Sequence, residues 1–144
     1  MSSAKRLKAF QVILRARQHE IDALSAELAA IRARQAEITG HIETLDRRRD
    51  EEGHAQTLEA APFVAGFLKA IAVEQVGLGE QLSALDEIGS KLEQEVRERF
   101  IDMRSWQTSC DRLEAAQNYD DRRKESAQMD EVARATFTHH RGTS

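Results

Sequence analysis

The chain has 144 residues, of which 32% are charged and only 5% aromatic, and its formal net charge is −4. So few aromatic residues do not fill a broad globular core, and an acidic balance argues against nucleic acid as the main partner, because a phosphate-binding surface needs a basic excess. The single cysteine, Cys110, excludes an intramolecular disulfide and fits a reducing compartment. No run of about 18 apolar residues is apparent, so no membrane span is expected. The basic start of the chain has no apolar run behind it, so it does not read as a signal peptide. The expectation is a soluble, cytoplasmic protein.

The first element is a helix over residues 4–50. Its apolar side chains recur every third and fourth position: Leu7, Phe10, Leu14, Arg17, Ile21, Leu24, Leu28, Ile31, Gln35, Ile38, Ile42 and Leu45, ten of the twelve apolar. That spacing collects them on one seam, which must pack against another helix. Ser2 and Ser3 are candidate N-caps, since a hydroxyl can accept from the free amides of the first turn. The segment is basic: to Arg34 it holds seven Lys and Arg against Glu20, Asp22 and Glu27.

The connection covers residues 51–61, where a charged run ends in Gly53, a residue suited to a helix C-cap. Pro62 fits the first position of a new helix, where its missing N–H costs nothing. The second helix is expected over residues 62–137 and a frayed tail over 138–144. Its seam runs Leu68, Ile71, Gln75, Leu78, Leu82, Leu85, Gly89, Leu92, Val96, Arg99, Met103, Trp106, Cys110 and Leu113, eleven of fourteen apolar. Gly77 and Gly79 mark the expected bend or break, since glycine weakens a helix interior.

The short connection makes the expected fold class all-α: a long antiparallel two-helix coiled-coil hairpin, the second helix longer than the first, as a single unit. With Leu45 opposite Leu68, Leu7 faces Trp106. Gln35 and Gln75 then fall in adjacent layers, as do Arg17 and Arg99. Arg17–Glu20 and Glu95–Arg99 are expected to pair along their own helices, and Arg32 to attract Asp86 across the seam. Residues after Cys110 have no partner helix. Leu113, Tyr119, Met129, Val132 and Phe137 are candidate docking residues there, because apolar side chains exposed on a charged helix mark contact sites.

No phosphate loop, metal-ligand spacing or nucleophile motif appears, and a seam between two helices offers no water-excluded pocket for catalysis. The expectation is a non-enzyme without cofactors or metals.

Three segments carry a family likeness. They are Lys5-Arg6-Leu7-Lys8-Ala9-Phe10 at the start, Ala65-Gly66-Phe67-Leu68-Lys69-Ala70-Ile71 followed by Gln75, and the charged run from Asp121 to Ala133 with its Met129-Asp130-Glu131-Val132 ending. With the length and two-helix plan, these resemble the FliJ family, soluble coiled-coil proteins of the flagellar type III export apparatus. The resemblance implies a cytoplasmic stalk, peripheral to the inner-membrane apparatus, that inserts into the export ATPase ring. It also implies contact with the cytoplasmic domain of the export gate and escort of substrate chaperones. On this likeness the gate contacts at the hairpin tip are Gln35, Ile42, Phe67 and Ile71, and the ATPase is met by the C-terminal docking residues. Arg47, Arg48 and Arg49 stand where many members carry a tyrosine-bearing segment. The alternative is a generic coiled-coil scaffold or homodimer. A holdase chaperone would need strands, and none is read.

Overall fold

The computed structural model describes residues 2–142, with side chains described as far as His139. It contains two helices, α1 (Ser3–Glu52) and α2 (Ala61–Gly142), and no strand among the described residues. Ser2 caps α1: its Oγ accepts from the Lys5 amide at 3.3 Å and its carbonyl from the Arg6 amide at 3.0 Å. At the other end the Gly53 amide donates to the Arg49 carbonyl at 2.9 Å. A Cβ at Gly53 would stand 2.2 Å from that same oxygen and 3.0 Å from Leu68, so only glycine fits where the chain leaves α1. Thr57 Oγ1 accepts from the Ala60 amide at 3.2 Å and prepares the entry into α2. α2 passes unbroken through Gly77 and Gly79; of the tail expected to fray over 138–144, residues 138–142 are helical and 143–144 lie outside the described residues.

The chain falls into two compact units. One is Glu20–Arg99; the other joins the residues up to His19 with those from Phe100 onward. In the first unit Ile38, Leu45, Ile71 and Leu78 form the buried core, with Ile42, Phe67, Leu82 and Leu85 packed against it. The pairs Glu20–Arg99, Arg32–Asp86 and His41–Glu74 ascend α1 while descending α2, so the helices run antiparallel. In the second unit the Phe10 and Trp106 rings lie 5.3 Å apart, Arg17 pairs with Asp102 at 3.4 Å, and Cys110 is buried.

These contacts correct the expected register. Trp106 packs on Phe10 rather than Leu7, and Leu68 lies beside Gly53 rather than Leu45. Each α1 residue thus meets a partner about one turn further along α2. The polar residues explain the shift. Gln75 does not approach Gln35; its amide donates to Asp46 at 2.7 Å and to the Ile42 carbonyl at 3.3 Å. Gln35 accepts instead from Arg32 at 2.7 Å. Arg99 and Arg17 reach across to Glu20 and Asp102. A half-buried polar group is cheap only when bonded, and this register supplies partners that the apolar spacing alone does not reveal.

An 18-residue window of α2 reaches mean hydropathy 1.3 and is long and apolar enough by composition to cross a membrane, contrary to expectation. Alanine, glycine and valine raise the average while residues 61–78 carry only Lys69 and Glu74 as charges. Only 11% of the window is buried.

Candidate docking surfaces

The expected tip residues divide by depth. Ile71 is 4% exposed and belongs to the core, while Ile42 and Phe67 pack against it. The Arg48 guanidinium lies 5.4 Å from the centre of the Phe67 ring. Gln35 is half-buried under its bond from Arg32. Ile71, Ile42 and Phe67 hold α1 to α2, while Gln35 is bonded within α1. The apolar side chains that face outward in this unit are others: Leu58, 92% exposed, Phe63, 81%, Val73, 65%, Val76, 63%, and Ile88, 47%. For the residues on α2 the sequence signal is a second apolar stripe away from the seam; Leu58 lies in the connection.

Arg32 is the most connected side chain of the unit. It donates to Gln35, Asp86 and Glu93, and its guanidinium lies against Gly89, where a Cβ would stand 3.1 Å away. The hydrogen bond to Glu93 raises the Arg32 pKa; desolvation opposes it, and the bond to Asp86 adds to the rise. Gly89 is therefore a niche for the guanidinium, a role that its seam position alone did not suggest. Arg47, Arg48 and Arg49 are occupied too: Arg47 donates to Thr44, Arg48 pairs with Glu52 and Arg49 with Asp46.

The C-terminal part of α2 is different in kind. Leu113 and Gln117 are half-buried, and every residue from 118 to 139 is exposed. Continuing the seam spacing past Leu113 gives Gln117, Asp120, Lys124, Ala127, Glu131 and Arg134, so the α1-facing stripe ends where α1 does. The apolar side chains shift to other faces. Tyr119 is 62% exposed, Met129 72%, Val132 65% and Phe137 60%. Met129, Val132 and Ala133 form a patch beside Glu125 and Gln128, and Arg123 lies 6.0 Å above the Tyr119 ring. Such an arrangement can bind a surface with apolar sockets and mixed charge. Among the described residues no group of three or more His, Cys, Asp or Glu is placed to hold a metal ion.

No protein-family model matches the sequence, and no curated protein and no solved structure matches it.

Proposed function

We propose that this chain is a helical stalk and adaptor of a type III protein export apparatus, coiled-coil in its packing. In this reading it acts by binding rather than catalysis, in the cytoplasm at the inner-membrane machinery. The single observation that supports the reading is the C-terminal stretch of α2, helical and exposed from 118 to 139, with Tyr119, Met129, Val132 and Phe137 open to a partner. A helix of that length gains little stability from its own propensity and is expected to be completed by what it binds. The resemblance to the FliJ family supplies the partner: the export ATPase ring, with the gate domain and substrate chaperones as further contacts. Because Ile42, Phe67 and Ile71 are engaged between the helices, the gate contact falls to the connection, where Leu58 is the most exposed apolar side chain.

The test is to mix the purified chain with the export ATPase of its own organism and to follow complex formation by light scattering with size exclusion. A single chain per ATPase ring, with ATPase activity raised, is the expected result. The Met129→Asp and Val132→Asp variants should each weaken binding. If the ATPase ignores the chain and its deletion leaves export intact, the reading fails and a scaffold outside export replaces it.

A further inference from the structure

α2 is apolar on two sides. One is spent on α1; the other faces outward. Residues 18 apart on an α-helix share a face, since five turns bring the chain back to the same angle. Phe63 is thus in line with Gln81, Gly66 with Ala84, and Ala70 with Ile88, while Val73 and Gly77 fall between them. This line carries no charged residue for about 38 Å. Phe63, Val73 and Ile88 on it are 81%, 65% and 47% exposed, and Val76 at its edge is 63% exposed. Exposed apolar surface of that extent on a soluble helix is a mark of an interface.

Gly66 and Gly77 sharpen the picture. A Cβ at either would meet nothing within 4 Å, so no neighbour inside the chain calls for glycine there. A second helix backbone approaching from outside would.

We propose that this outer face of α2 pairs with the same face of a second copy of the chain, antiparallel, about a two-fold axis beside Val76. The face reads nearly the same from either end. Turned on itself about that axis, it sets Phe63 against Ile88, Gly66 against Ala84, Ala70 against Gln81 and Val73 against Gly77. Bulky side chains close the two ends, and Val73 meets the open backbone of a glycine. The charges agree. Lys69 and Glu80 are exposed, lie on the same edge of the face three turns apart, and have no ion-pair partner among the described residues. The antiparallel arrangement brings Lys69 of each copy beside Glu80 of the second copy, twice over. Glu74, on the other edge, is already held by His41 at 3.2 Å. A parallel pair would carry the contact on to the next positions of the line, Lys91 and Glu95, each then meeting its own like. The antiparallel pair ends before them. The inference uses residues 63–88 only and does not depend on the export reading.

Sedimentation equilibrium of the full chain over a range of concentrations tests it, with circular dichroism to follow folding. The chain is expected to pass from monomer to dimer as concentration rises. Val73→Asp and Gly77→Leu should leave it monomeric and still helical. Lys69→Glu and Glu80→Lys should each weaken the dimer several-fold, and the two together should restore it, because the double reversal re-forms both pairs. A chain that stays monomeric at every concentration overturns the proposal. So does a dimer that survives Val73→Asp but is lost with Met129→Asp, which would place the contact in the C-terminal segment. Binding to phosphatidylcholine–phosphatidylglycerol vesicles by a chain that never dimerises would overturn it in favour of a lipid surface.

Discussion

A methyl group added at Gly89 would stand 3.1 Å from the Arg32 guanidinium, which three partners already hold in place; at Gly79 it would meet nothing within 4 Å. The two glycines therefore answer differently to one substitution. Gly79→Ala is expected to raise stability by about 1 kcal/mol, the difference in helix propensity between the two residues. Gly89→Ala should gain less, because the same propensity is offset by displacement of Arg32. Repeating Gly89→Ala in an Arg32→Ala background should recover the full gain, and urea denaturation of the four chains measures the coupling. Cys110, 3% exposed, belongs to the same scale. Burial pushes its thiol pKa up, and Asp111 and then Glu114 push it further in the same direction. The folded state therefore keeps the proton after the unfolded state has lost it. The resulting stabilisation is fully present below the unfolded value of about pH 8.5 and is lost as pH rises through the folded value. Alkylation of Cys110 at neutral pH is expected to be slow and to accelerate sharply in denaturant. A rate equal to that of a free thiol would mean the side chain is open.

At the scale of the helices, depth of burial sets the cost of losing a side chain, and the seam is not uniform. Leu45 is 2% exposed within the core, while Leu28, at an equivalent seam position, is only half-buried. Leu45→Ala should cost roughly 2–5 kcal/mol by removing transfer energy and leaving a cavity. Leu28→Ala should cost clearly less, because solvent already reaches the site. Thermal denaturation of the two variants ranks them, and an equal loss would mean that the seam is packed evenly along α1. The 3–4 spacing identified both residues as seam members. It did not grade them, since depth depends on what the opposite helix presents at that level, and the register decides that. The polar seam members show the same dependence. Gln75 donates to Asp46, which lies off the apolar stripe of α1, and to the backbone carbonyl of Ile42, which the spacing of side chains does not specify.

For the molecule as a whole, the decisive difference is between side chains that hold α1 to α2 and side chains that hold nothing. Met129, 72% exposed, is of the second kind. Met129→Asp is expected to leave the melting temperature of the free chain within the small range of surface substitutions, while weakening the docking proposed for the C-terminal segment. If it instead melts the chain, that segment is packed and its docking role is lost. The sequence by itself determined that the chain forms two helices with a seam on each, where the first is capped and left, and that α2 outruns α1, because these follow from local periodicity, capping chemistry and the positions of glycine and proline. It could not determine the register, since a stripe of leucine and isoleucine matches itself at every turn and only the hydrogen bonds and ion pairs reaching across from Gln75, Arg99, Arg17 and Arg32 choose among the matches. Nor could it separate Ile71, sealed in the core, from Val73 two residues on and open to solvent: both are β-branched and apolar on one helix, and only the direction from which α1 approaches decides which is covered.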